Sequence, residues 1–165
     1  MTEESGFIIR RYTDDDFAAA CILNGMGRNE PYAEAVFIRQ AGALYGSTFL
    51  CAVCDGQVCG YTIGAPVTGV GRAAWVLRLG VLPSYRGRGV ARALMEALFV
   101  QIEAAGIPEL FLSVHPDNQA AVSLYTSLRF ITAETVSDYF GEGEDRLIMK
   151  KALDTAKTSP LSFYR

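Results

Sequence analysis

Residues 81–92 read VLPSYRGRGVAR, and they join two runs of opposite periodicity. Before them, AAWVLRLGVL (73–82) is almost continuously apolar and is stopped by Pro83, as expected of a central β-strand. After them, Val90, Leu94, Leu98 and Ile102 recur every four residues, with Ala91, Met95 and Phe99 beside them, which predicts an amphipathic helix. Gly106 and Pro108 mark its stop. The stretch is therefore a strand–loop–helix joint whose loop, Arg86-Gly87-Arg88-Gly89-Val90-Ala91, opens a helix. A helix start presents unpaired N–H groups and partial positive charge. Glycines let the backbone approach a ligand, and arginines add forked donors for phosphate oxygens. The joint points to a phosphorylated ligand. It lacks the lysine and hydroxyl of a nucleotide-hydrolysing P-loop, and Arg92 stands where a dinucleotide fingerprint needs its third glycine.

The partner segment is LFLSVHPDNQAAVSLYTSLRF (110–130). It reads as a strand, a turn at His115-Pro116-Asp117-Asn118, and a helix. Asn118 and Tyr125 are seven apart, close to two helical turns, and so face nearly the same way. Both are expected near the start of that helix, at the sheet end that carries the Arg/Gly loop. Asn118 also suits a helix N-cap.

These residues resemble the GNAT superfamily of N-acetyltransferases. The acetyl-CoA motif R/Q-x-x-G-x-G/A is matched by Arg86, Gly89 and Ala91. The later L-x-V-x-x-x-N-x-x-A-x-x-L-Y-x-x-x-G-F pattern is matched by Leu112, Val114, Asn118, Ala121, Leu124, Tyr125 and Phe130, with Arg129 where glycine is usual. The resemblance covers about residues 7–152. It implies an α/β (α+β) fold, a mixed, mostly antiparallel sheet of about seven strands flanked by about four helices. It also implies a V-shaped opening between the central strands that takes acetyl-CoA. Backbone groups near Leu79 and Val81 would pair with the pantetheine arm. The amides of Arg86, Gly87, Arg88, Gly89, Val90 and Ala91 would hold the pyrophosphate, with Asn118 near the arm. Tyr125 would be the general acid toward the sulfur, since a phenol with pKa near 10 holds its proton at neutral pH.

PYAEAVF (31–37) and DYFGEGEDRLIMKKAL (138–153) narrow the resemblance to the protein N-terminal branch, which includes ribosomal-protein alanine acetyltransferases. That branch often carries a glutamate base where this chain has Ser113. His115, two residues on and the single histidine, is then a candidate base or relay. A free α-amine, with pKa near 8, is about one-seventh neutral at pH 7, against about four parts in ten thousand for lysine. A site with a weak base thus tolerates α-amines better. Tyr32, Asp138, Tyr139 and Phe140 are the expected acceptor-side residues. The acceptor is a peptide or small-molecule amine. A non-catalytic acyl-CoA sensor is the remaining alternative.

The other expected elements are a strand at 7–12, a helix start at Thr13 followed by Asp14–Asp16, and a loop over residues 25–31. Strands follow at 48–54 and 58–65 around Asp55-Gly56-Gln57, and two last strands at 130–137 and 146–152. Residues 1–153 are expected to form one acetyltransferase domain and 154–165 a tail. The formal net charge of −3 opposes a nucleic-acid partner. No apolar run approaches the ~18 residues a bilayer crossing needs, and the acidic start is unlike a secretion signal, so no membrane and a cytoplasmic address are expected. Cys21, Cys51, Cys54 and Cys59 read as small buried hydrophobes, and one histidine supplies zinc poorly, so no metal is expected. A monomer or homodimer is expected.

Overall fold

The computed structural model describes residues 6–25, 30–69 and 72–157. Part of the expected 25–31 loop and residues 158–165 of the expected tail lie outside the described residues. Seven strands and four helices follow in the order β1 (Ile8–Arg11), α1 (Phe17–Gly25), α2 (Pro31–Leu44), β2 (Phe49–Cys54), β3 (Gln57–Pro66), β4 (Ala73–Val81), α3 (Val90–Ala104), β5 (Glu109–Val114), α4 (Gln119–Ser127), β6 (Ile131–Val136) and β7 (Arg146–Ala152). The sheet order is β1-β2-β3-β4-β5-β7-β6. β1–β2, β2–β3, β5–β7 and β7–β6 pair antiparallel, whereas β4–β5 is parallel. The mixed, mostly antiparallel sheet anticipated above is present.

The backbone groups into two compact units, Met1–Ala65 with Leu77–Gln101, and Pro66–Val76 with Ile102–Arg165. In the first unit, Ala20, Leu23, Ile38 and Ala41 of α1 and α2 pack on Phe49, Cys51, Tyr61 and Ile63 of β2 and β3. Val90, Leu94, Leu98 and Ile102, the stripe read from the sequence, are all at most 1% exposed. In the second unit the buried face of the sheet is carried by Ala74, Val76, Leu110, Leu112 and Met149.

Local chemistry accounts for the joints. The β2–β3 hairpin closes through two residues, Asp55 and Gly56, both at positive φ (50° and 77°), the geometry that suits the right-handed strand twist. Gln57 therefore belongs to the strand and pairs with Cys54, one residue earlier than expected. Thr13 does precede a helix, but the first turn is a 3-10 turn over Asp14–Asp16. Its brace is the Asp16 carboxylate, which accepts from the Thr13 N–H at 2.8 Å and from the Arg10 guanidinium at 2.7 and 2.8 Å. The Arg10 hydrogen bond also holds the Asp16 carboxyl below the ordinary aspartate range. No helix among the described residues is long and apolar enough to cross a membrane.

β4 carries one residue more than regular pairing with β3 allows. Val67 N–H donates to the Ala73 carbonyl and Leu82 N–H to the Cys59 carbonyl, so nine steps along one strand match eight along the other. Leu77 packs on the α1/α2 core, and Arg78, its immediate neighbour, lies over the Phe37 ring of α2. Consecutive side chains on one face break strand alternation, which places the bulge at Leu77–Arg78.

Candidate active site

The Arg/Gly loop leaves β4 through a 3-10 turn at Pro83–Tyr85 and enters α3 at Val90. Gly87 and Gly89 sit at φ 72° and 81°, where other residues are strained. A Cβ added at either would meet nothing within 4 Å, so the demand for glycine comes from the backbone and not from crowding within the protein. Gly89 O accepts from Ala93 N–H, which makes Gly89 the residue before the first helical turn. Among the described residues, the N–H groups of Gly87, Arg88, Gly89, Val90 and Ala91 have no backbone or side-chain acceptor. Residues 86–89 are exposed. Five successive open amides at the positive end of a 15-residue helix form an anion cradle. Arg86 is held by its Nε donating to the Val81 carbonyl at 3.2 Å, and Arg88 stacks over Tyr85 at 5.2 Å. The registered pairs of β4 with β5 run from Ala73–Glu109 to Trp75–Phe111.

In the second unit, Asn118 is the N-cap of α4, with Oδ1 accepting from Ala121 N–H at 3.2 Å. Tyr125 is not near the helix start, as the sequence suggested, but in the last turn. It is 8% exposed, and burial pushes its phenol up to about 12. Among the described residues its hydroxyl has no hydrogen-bond partner, yet it is not sealed in the core as the Tyr12 hydroxyl is.

The helix end fixes that ring. Phe130 N–H donates to Tyr125 O at 3.0 Å and Arg129 N–H to Thr126 O at 3.0 Å, the paired bonds of a Schellman cap. Phe130 packs edge-on against Tyr125 with centroids 5.8 Å apart. Arg129 therefore sits at φ 68°, which explains why glycine suits the position. Arg129→Gly is expected to stabilise the fold by roughly 1 kcal/mol, measured by urea unfolding, with unchanged turnover. A destabilised variant would show that the cap does not strain Arg129.

Ser113 lies on β5, half-buried and paired with Ile148. His115 Nδ1 accepts from Asp117 N–H at 3.2 Å, so in the neutral ring the proton resides on Nε2. That arrangement leaves no lone pair for an acceptor without a change of tautomer. In the 137–145 loop, Asp138 adopts φ 52°, its N–H donates to Asp145 Oδ1, and its own Oδ1 accepts from Gly143 N–H. Its carboxylate thus shapes the loop. Tyr139 and Phe140 are 43% and 63% exposed, with Arg146 over the Phe140 ring. Tyr32 stands 83% exposed on the first turn of α2. The four cysteines are free; Cys51 is buried, and burial pushes its thiol up to about 12.

One polar cluster in the first unit escaped sequence reading. Asn24 of α1 donates through Nδ2 to Glu34 of α2, while its Oδ1 accepts from Tyr61 OH at 2.9 Å and Arg78 Nε at 3.2 Å. Asn24, Glu34 and Tyr61 are buried. A glutamate inside an apolar helix, as in PYAEAVF, is the one hint the sequence offered.

The sequence model of the Acetyltransferase (GNAT) family matches residues 13–130. An N-alpha-acetyltransferase of Saccharolobus solfataricus is 27% identical over 157 residues, covering 89% of this chain and 93% of that protein. The crystal structure of the ribosomal-protein-S18-alanine N-acetyltransferase from Escherichia coli has a TM-score of 0.76 at 26% identity, covering 96% of this chain and 99% of that one. Ard1 from Thermoplasma volcanium shares the fold, with a TM-score of 0.80 at 21% identity over 90% and 98% of the two chains.

Proposed function

The chain belongs to the Acetyltransferase (GNAT) family, and on that premise we propose that it acetylates the α-amine of a polypeptide, with residues 1–153 acting as one domain. It is an acetyl-CoA-dependent N-acetyltransferase. The observation that supports the donor half is the run of five open amides at residues 87–91, which suits an anion such as a pyrophosphate. The amides of 87–91 bind the pyrophosphate while the Arg86 N–H donates to Pro83 O, Arg86 and Arg88 add charge, and backbone groups of Leu79 and Val81 align the pantetheine arm. The Val81 carbonyl already serves Arg86, so its share falls to the N–H. Asn118 caps α4 and turns its amide nitrogen to the arm.

Acetyl-CoA supplies an acetyl thioester whose thiolate leaves as the amine attacks. Tyr125 donates its hydroxyl proton to that sulfur, and the proton shed by the attacking nitrogen leaves through water and restores the phenol. A phenol at about 12 is a poor acid toward a thiol at its solution value near 8.5, yet burial raises thiols as well. Cys51 shows this within the same chain, since burial, with a smaller push from the Asp16 carboxylate, carries it to about 12. Burial beside Tyr125 would raise the leaving sulfur in the same direction, which narrows the gap between donor and acceptor.

The acceptor half is read from the relatives, one an N-alpha-acetyltransferase over nearly the whole chain and one a ribosomal-protein alanine N-acetyltransferase. Ser113 and the engaged His115 Nδ1 suit an amine that is partly neutral at pH 7, as an α-amine is. Tyr32, Tyr139 and Phe140 flank the acceptor, and Asp138 holds the loop that carries the last two. Four free cysteines suit a reducing, cytoplasmic compartment, and a monomer or homodimer suffices for this chemistry.

Thiol release measured across a panel of peptides and small amines tests the reading. Peptides with a free N-terminus are expected to react and their N-blocked forms to be inert. Turnover with small amines alone would overturn the acceptor assignment, and tight CoA binding with no acceptor would mark a sensor.

A further inference from the structure

We infer that the second unit carries a recognition surface for the body of the acceptor polypeptide, built by Trp75, Phe111, Lys150 and Ile131. Four strands place these residues in one row. Trp75 of β4 is registered with Phe111 of β5, Phe111 with Lys150 of β7, and Lys150 with Ile131 of β6. Residues directly opposite across strands share a face, so the row lies on one side of the sheet. Its neighbours Ala74, Leu110, Leu112 and Met149 point the other way and are buried. The row itself is left partly open. Trp75, Phe111 and Lys150 are half-buried, and Ile131 is 61% exposed.

An open sheet face is ordinarily polar. Here it holds a stacked aromatic pair, Trp75 and Phe111, with centroids 5.4 Å apart, and an exposed isoleucine at the far edge. Lys150 stands between the aromatics and Ile131 and has no ion-pair partner among the described residues. Lys150 is the one charge in the row, with Glu109 and Glu134 on the same face in the rows to either side, so the row itself fits an apolar side chain followed by a carboxylate. Four strands span about 14 Å, the length of about four extended residues, which suits a polypeptide and exceeds a small amine.

The row is also continuous with the reacting end of the strand. Ligands of parallel strands sit beyond the carboxyl ends, and β5 ends at Val114, just before the turn into the helix of Tyr125. Ser113 shares the face of Phe111 and is two residues nearer that end, about 7 Å. An acceptor whose amine reaches the end of β5 therefore lays its second or third side chain on Trp75 and Phe111, and an acidic residue there meets Lys150. The inference rests on the polypeptide reading above and adds a sequence preference to it.

The test compares kcat/KM for four acceptors: a peptide with an aromatic third residue followed by aspartate, the same peptide with lysine for aspartate, a glycine-only peptide, and a small primary amine. The wild-type enzyme is expected to favour the first by about tenfold or more, the scale of one apolar contact. Trp75→Ala and Phe111→Ala should erase that advantage while leaving the glycine peptide and CoA affinity unchanged. Lys150→Glu, a change at a half-exposed site, should reverse the preference between aspartate and lysine. Equal use of all peptides by the wild type, or an equal loss on every acceptor in the variants, would overturn the surface. Reaction with the small amine alone would instead remove the polypeptide reading and this inference with it.

Discussion

Tyr125→Phe is expected to lower kcat by about 10²- to 10⁴-fold, the range of one general acid, while KM for acetyl-CoA and thermal stability stay near wild type. The substitution removes one oxygen and keeps the ring that packs on Phe130. The Schellman bonds that set the helix end are main-chain and survive it. The hydroxyl has no hydrogen-bond partner among the described residues, so no buried group is orphaned by its loss. The pH profile carries a second signature. Burial raises the phenol to about 12, so its acid form is complete below about pH 10 and declines only as pH rises through 12. Activity should therefore climb with pH as the acceptor amine loses its proton, with no falling limb from Tyr125 before pH 10. An unchanged kcat in the phenylalanine variant would remove Tyr125 from the chemistry.

Gly89→Val is expected to raise KM for acetyl-CoA by about tenfold to a hundredfold, with a smaller effect on kcat at saturation. A β-branched residue at φ 81° costs about 1–2 kcal/mol, and the backbone would relieve it by rotating the very amides that face the anion. A side chain there meets no protein atom within 4 Å, so crowding would fall on the ligand and not on the fold. Calorimetric titration with CoA separates the effects, since the melting temperature should fall by only a few degrees while affinity falls by about tenfold or more. Unaltered CoA affinity would mean that the loop is an ordinary basic turn.

The features read correctly from sequence were local in origin. The VLPSYRGRGVAR joint, the four-residue stripe of α3, the Asp-Gly hairpin and the Asn118 cap each depend on residues within a turn or two. Long-range features were not legible. Asn24, Glu34, Tyr61 and Arg78 are brought together from four elements, and nothing in their spacing foretells the network. The bulge at Leu77–Arg78 arises from pairing with β3, so the run AAWVLRLGVL looks regular by itself. Trp75 and Phe111 meet only through parallel registration of β4 and β5. Two of the candidate side chains are engaged by neighbouring backbone. Asp138 accepts from Gly143, and His115 accepts from Asp117, uses that residue type alone does not reveal.

The most direct measurement offers the enzyme acetyl-CoA and one peptide that has both a free N-terminus and an internal lysine. The acetyl group is then located by fragmentation mass spectrometry, and free thiol is counted in parallel. Acetyl transfer to the α-amine, one group for each thiol released, is the predicted result. Acetyl on the lysine, or thiol released without an acetylated peptide, would contradict α-amine transfer.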